Sequence, residues 1–229
     1  MIAELRNKQQ KILFLTNNSS KTPEQIISKF EKMGILNVKT EEVLSSAIAT
    51  GEWLKSNAVP GSKVFVFGGD GIRQQVKLNG FSLVEDESAD YVVSGLNKDL
   101  TYEELVRASL AIQKGAKLVA TNQDITYPTE RGLQPGAGSL LAVLTLSSGE
   151  QPVAVLGKPS PDIFNLALEK LSVNRSECLM IGDRLDTDII GASLAGIDTA
   201  LVLTGVSSLS DLDNTEVKPK FVINNLVNF

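Results

Sequence analysis

Leu179-Met-Ile-Gly-Asp-Arg-Leu-Asp-Thr-Asp-Ile189 decides the fold. It begins as an apolar strand, passes through Gly182 into a polar loop carrying Asp183, Asp186 and Asp188, and leaves as the start of a helix. Carboxylates at a helix start are ordinarily caps, favoured there by the macrodipole, and that reading suffices for Asp186. Asp183 is different. It follows a glycine at the C-terminal edge of a predicted parallel strand, the edge at which open α/β sheets take their ligands, and an acidic strand tip suits a hard cation.

Working outward, residues 199–203 read as a further strand ending in Thr204-Gly205, and 221–223 as a last one. Upstream, 153–156 read as a strand entering Gly157-Lys158-Pro159-Ser160-Pro161, whose prolines end it and start a helix over 162–171. At the other end, 1–10 read as an amphipathic helix and 11–19 as a buried strand with Thr16, Asn17 and Asn18 at its tip. Thr22-Pro23-Glu24-Gln25 then opens a helix through Lys32, with Thr22 as its cap. Residues 41–47 read as extended and 48–56 as helical, with Trp53 facing inward.

Pro60-Gly61 breaks the chain, and a second βα series begins. Strands are predicted over 63–67, 81–84, 91–93 and 117–121, and helices over 71–78 and 101–114, the latter with Thr101 and Glu104 in capping-box positions. A polar loop over 122–132 and a helix over 136–146 close the series, and Gly149 and Pro152 mark the return. No repeat or low-complexity segment occurs.

Composition narrows the chemistry. With 229 residues and 42% hydrophobic content the chain is long enough to bury a sizeable core. Zero histidines exclude Ser-His-Asp and Cys-His catalysis, histidine-ligated zinc and histidine general bases together. The single cysteine, Cys178, leads into the Asp183 strand and reads as a small buried hydrophobe; it excludes an internal disulfide and fits a reducing cytoplasm. A net charge of −5 without a basic run argues against a nucleic-acid partner, and no apolar run approaches membrane-spanning length.

Three strand tips, at Thr16, Lys158 and Asp183, thus carry a hydrogen-bond donor, a cation and a metal-ligand candidate. A lysine is ordinarily solvated and Thr16-Asn17-Asn18 alone is an ordinary polar turn, but together the three describe a phosphate site, where positioning and electrostatics do most of the work. Oxygen-only ligands favour Mg²⁺ over zinc.

This constellation resembles the haloacid dehalogenase (HAD) superfamily of phosphatases, in its NagD-like, p-nitrophenyl phosphatase-like branch with a large α/β cap. Thr16-Asn17-Asn18 is similar to the family's second motif, Gly157-Lys158-Pro159 to its third and 182–188 to its fourth. Thr121-Asn122, Pro128 to Gly132 and Pro135-Gly136 resemble the substrate-facing segment of the cap, drawing in Asn122, Asp124 and Glu130. The resemblance implies that Asp183 binds Mg²⁺ directly and Asp188 supports the metal shell. Lys158, Thr16 and the Asn17 amide, with Asn18 beside them, would hold the phosphoryl group.

The resemblance also implies a first motif, an apolar strand ending Asp-x-Asp-Gly, that supplies the nucleophilic aspartate and the general acid/base. These 229 residues contain none. Asp70 and Asp124 fall in the cap and Asp162 at a helix start, so none stands in. In the resembling fold that strand lies between those ending at Thr16 and Asp183, and its loss would leave two unpaired ladder edges.

The expectation is therefore a Rossmann-like parallel-sheet core, 1–57 and 152–229, with an inserted α/β cap at 58–151 and the first core strand missing. The function expected is Mg²⁺-dependent hydrolysis of small phosphorylated metabolites by a cytoplasmic protein, with negligible turnover by this chain alone. Relatives with such caps admit a homodimer. One rival is a non-catalytic phosphate-binding remnant. A nucleotide-binding protein of another class is the other, disfavoured because neither Gly-x-Gly-x-x-Gly nor a P-loop pattern follows a strand.

Overall fold

Short strands and helices alternate along the 1–227 described by the computed structural model. They begin with α1 (Ile2–Asn7), β1 (Phe14–Thr16), α2 (Pro23–Lys32), β2 (Val43–Ser45) and α3 (Ser46–Asn57). Next come β3 (Lys63–Phe67), α4 (Asp70–Leu78), β4 (Ser82–Val84), β5 (Tyr91–Ser94), α5 (Tyr102–Gln113) and β6 (Lys117–Ala120). A hairpin of β7 (Thr126–Thr129) and β8 (Gly132–Pro135) precedes α6 (Ala137–Ser148) and β9 (Ala154–Val155). The chain ends with α7 (Pro161–Leu171), β10 (Leu179–Gly182), α8 (Ile190–Leu194), β11 (Asp198–Val202) and β12 (Phe221–Ile223). No helix among the described residues is long and apolar enough to cross a membrane.

Two units divide the chain: residues 1–14 with those from 158 onward, and residues 15–157. The first is built on three parallel strands in the order β10-β11-β12, with Leu179 opposite Asp198 and Gly182 opposite Leu201. Leu201, Ile189, Ile163 and Phe164 are fully buried in it. Each such side chain contributes about 1.5–3 kcal/mol on leaving water. Helix α7 starts as the prolines predict, with Pro161 at its first position and Ser160 accepting from the Asp162 amide.

The second unit holds a five-stranded parallel sheet in the order β4-β3-β5-β6-β9. Its central strands β3 and β5 are apolar along almost their whole length, as strands covered on both faces must be. Phe65, Phe67, Val92, Leu118 and Leu144 form the core between this sheet and helices α5 and α6. The reciprocal capping boxes expected at Thr22–Gln25 and Thr101–Glu104 are both formed, fixing the starts of α2 and α5. Trp53 is half-buried, edge-on to Tyr91 at 6.4 Å.

Parallel ladders with α-helical connections make this the expected Rossmann-like α/β class. Several local expectations need correction. The strand expected over 11–19 spans only Phe14–Thr16 and pairs with β2 in a two-stranded ladder. Helix α3 starts at Ser46, because the Ser45 side chain accepts the Ile48 amide and nucleates the turn earlier. The polar loop over 122–132 contains the antiparallel hairpin β7–β8, with Thr126 opposite Pro135. Residues 154–155 continue the sheet of the second unit beside β6, with Ala120 opposite Val155.

Candidate active site

The chain leaving β10 does not enter a regular helix. Residues Leu185–Ile189 form a π turn, in which the amides of both Asp188 and Ile189 reach the Arg184 carbonyl, at 3.0 and 3.1 Å. The wider turn folds the Asp188 side chain back beneath the strand end. Its Oδ2 accepts from the amides of Asp183 and Arg184, both at 3.2 Å, while its Oδ1 accepts from Lys158 Nζ at 2.5 Å. A Cβ at Gly182 would collide with this carboxylate, so the strand must end in glycine.

Lys158 is accordingly not a solvated surface lysine. Its side chain is 11% exposed, and that of Asp188 only 5%. An ammonium so far out of water needs a counter-charge, and Asp188 supplies it.

Asp183 is presented differently. Its Oδ2 accepts from the Val206 amide at 2.9 Å and its carbonyl from the Ser207 amide at 2.9 Å, while Ser207 Oγ accepts from the Leu185 amide at 3.1 Å. The loop after β11 thus cradles Asp183. A Cβ at Gly205 would run into the same carboxylate. Oδ1 has no partner among the described residues, which leaves one hard oxygen donor open.

Asp186, expected as a helix cap, is engaged chiefly by a neighbouring side chain. Arg184 grips it in a fork, Nε to Oδ1 at 3.0 Å and Nη2 to Oδ2 at 2.6 Å, and this bidentate bond holds its carboxyl below the usual range. The Asp186 and Thr187 amides of the π turn add to the same effect.

The donor set fits Mg²⁺. Every candidate ligand is a carboxylate oxygen, with Asp183 Oδ1 open and Asp188 saturated by Lys158 and two amides, behind it. No group of three or more His, Cys, Asp or Glu that could hold a metal occurs among the described residues. A cation that keeps several waters and takes one or two carboxylates suits that sparse set.

The second unit gathers Thr16, Asn17, Asn18, Asn122 and Asp124. Thr16 Oγ1 accepts from the Asn18 amide at 3.1 Å, and its proton has no acceptor among the described residues. Asn18 Oδ1 accepts from the Ser20 and Lys21 amides at 3.0 and 3.2 Å, closing the turn. Asn17 Nδ2 donates to Asp124 Oδ2 at 3.0 Å, and Asn122 Nδ2 donates to the Asn17 carbonyl at 2.9 Å. Glu130 lies exposed in the turn between β7 and β8. Ser207 and Ser46 carry no motif in the sequence, and their roles depend on contacts with segments 22 and 29 residues away; Arg184 lies inside the 182–188 stretch, but its grip on Asp186 has no signal there.

Comparisons with known proteins identify the family. Residues 1–82 match a family of haloacid dehalogenase-like hydrolases, and residues 155–229 a family of HAD-hydrolase-like proteins. An acid sugar phosphatase of Staphylococcus saprophyticus is 42% identical over 225 residues, which span 98% of this chain and 86% of that protein. A double-mutant thermostable NPPase of Geobacillus stearothermophilus superposes with a TM-score of 0.90 at 38% identity, over 97% of this chain and 87% of that one. A glycerol phosphate phosphatase of Mycobacterium tuberculosis, solved in complex with magnesium, gives a TM-score of 0.89 at 35% identity, over 96% of this chain and 67% of that one. The chain belongs to the haloacid dehalogenase-like hydrolases, as a phosphatase of their NagD-like branch.

Proposed function

We propose that the site serves Mg²⁺-dependent hydrolysis of small phosphomonoesters, with sugar phosphates the leading class because that is what the Staphylococcus relative is named for. The observation that carries this reading is the sequestered Lys158–Asp188 pair beside the open Oδ1 of Asp183. An ammonium held in one place by a buried carboxylate is a fixed positive charge, ready for an anionic phosphoryl oxygen without reorganisation. Asp188 orients Lys158 and locks the 183–184 amides; Asp183 Oδ1, with Asp188 behind it, would hold the cation. When bound, Mg²⁺ supplies positive charge to phosphoryl oxygens. Thr16, through its free hydroxyl proton, and the Asn17 amide are proposed phosphate donors, with Asn18 holding their turn closed. Asn122, Asp124 and Glu130 belong to the segment proposed to meet the leaving group.

The division into core at 1–57 and 152–229 and cap at 58–151 is part of the same proposal, as are cytoplasmic residence, supported by the single cysteine, and a homodimer.

A second reading has its own support. The 229 residues contain no Asp-x-Asp-Gly, so this chain by itself is expected to bind a phosphomonoester without cleaving it. Calorimetry with a sugar phosphate, with and without Mg²⁺, followed by assay of released phosphate, tests both parts. Saturable Mg²⁺-supported binding, lost in Asp183→Asn and Lys158→Met and unaccompanied by turnover, is the expected result. Absence of binding would sink the phosphate site. Phosphate release abolished by Asp183→Asn would instead refute inactivity and leave the hydrolytic reading standing.

A further inference from the structure

Asn17 is held from two sides. Its carbonyl accepts from Ser46 Oγ at 2.7 Å and from Asn122 Nδ2 at 2.9 Å, and its side-chain amide donates to Asp124 Oδ2 at 3.0 Å. The Asp124 end is itself anchored. Its amide donates to Asn122 Oδ1 at 3.1 Å, and its carbonyl accepts from the Gly138 amide at 2.9 Å, in the first turn of α6. Behind Asn122, Nδ2 also reaches Thr121 Oγ1 at 3.3 Å, which donates to Ser19 Oγ at 3.0 Å. Ser19, Ser46, Thr121 and Asn122 are all buried, so the network lies in a low-dielectric interior where satisfied polar groups rigidify one another. The Asn17–Asp124 bond, with an ionised acceptor, is of the stronger kind.

We propose that Asp124, supported by Asn122 and Ser46, is a positioning residue for the turn Thr16-Asn17-Asn18: it holds the Asn17 side chain while Ser46 and Asn122 hold the Asn17 carbonyl. This rests on the reading of that turn as phosphate-binding. Backbone amides stabilise an anion only when they are already aimed at it, and small misplacements of such groups cost disproportionately. A side chain on each flank of Asn17 removes the rotation that would spoil that aim. The hydroxyl of Ser46 does so from α3, and the carboxylate of Asp124 from the segment following β6.

The test uses the ¹⁵N-labelled 229-residue chain, with inorganic phosphate as probe and the Asn17 side-chain amide as spectroscopic reporter. Asp124→Ala is expected to weaken phosphate about tenfold, the effect usual for outer-shell partners, and to move the Asn17 amide to the position of a solvated one. Asp124→Asn, whose amide oxygen can still accept from Asn17, is expected to restore the reporter and bind within about threefold of the parent. That rescue separates positioning from a need for charge at 124 and guards against a variant that merely misfolds. If the parent binds phosphate and Asp124→Ala binds equally well, or loses affinity with the Asn17 amide unmoved, the positioning role is overturned alone. A parent chain that binds no phosphate overturns the assignment of the turn, and the positioning role with it.

Discussion

Asp188→Ala removes the counter-ion of Lys158 and, with it, the acceptor of two backbone amides. At 2.5 Å the gross attraction of the pair is about 7 kcal/mol for an effective dielectric near 20. Most of that is offset by the cost of taking both ions out of water, which amounts to several kcal/mol each. The net worth of the intact pair is therefore small, but deleting one partner is not a small change. It strands an ammonium whose side chain is 11% exposed, and such half-pairs cost about 3–5 kcal/mol. The amides of Asp183 and Arg184 lose their acceptor in the same step. Against a total stability of about 5–15 kcal/mol, the first unit should lose a large share of its margin.

Trp53, the single tryptophan, lies in α3 of the other unit, so its fluorescence is the wrong probe. Hydrogen exchange followed by mass spectrometry over residues 179–194 reads the affected segment directly. Protection there should fall by an amount equivalent to about 3 kcal/mol or more in Asp188→Ala. Lys158→Met combined with Asp188→Leu should recover only the share due to the stranded ammonium, because the amides of Asp183 and Arg184 still lack their acceptor. A loss below about 1 kcal/mol, the range of exposed ion pairs, would show that the Lys158–Asp188 bridge is solvated and that the argument for a fixed charge is wrong.

Gly205→Ala places a methyl where the Asp183 carboxylate sits; Mg²⁺ affinity measured by calorimetry should fall about tenfold or more while helix content by circular dichroism is retained, and unchanged affinity would mean that the Asp183 side chain is free to move aside. Glu177 accepts from the Asn174 amide and the Asn174 side chain, and these bonds hold its carboxyl below the ordinary glutamate range. Because its folded-state value is depressed, its contribution to stability is present above the unfolded value and is lost as pH falls through the folded one. An NMR titration of the Glu177 carboxyl carbon should show a midpoint below that of a free glutamate, and a midpoint at or above it would contradict the capping geometry.

What the sequence disclosed was local. Thr22-Pro23-Glu24-Gln25 and Thr101 with Glu104 fix two helix starts through bonds within four residues, so their reading needs nothing from the rest of the chain. The apolar run into Asp183 is likewise a strand on its own composition. What escaped was pairing. Two residues, Ala154 and Val155, have no periodicity to reveal that they continue the sheet beside β6. The hairpin over 126–135 contains Pro128, Gly132 and Pro135, residues that elsewhere signal a loop, and only the antiparallel partner makes it a strand pair. Asp186 looked like a cap because capping is the ordinary fate of an acid at a helix start. The π turn and the Arg184 fork that claim it are visible only in three dimensions. Lys158 and Asp188 stand 30 positions apart and Asn17 and Asp124 107, distances across which composition carries no information about contact.

Gly182 and Gly205 give the site an unusual mutational landscape. At both positions the space a side chain would occupy is already filled, by Asp188 in one case and by Asp183 in the other. Random variation can alter much of the neighbouring surface, but nothing can be added inward at these two places while the carboxylates stay where they are. The restriction is imposed by the acids and not by the turns. A lineage that abandoned the acids would be released from it at once, and larger residues would drift into both positions. Glycine at 182 and 205 is therefore a record, written in residues with no side chain, that the room beside the two carboxylates is still in use.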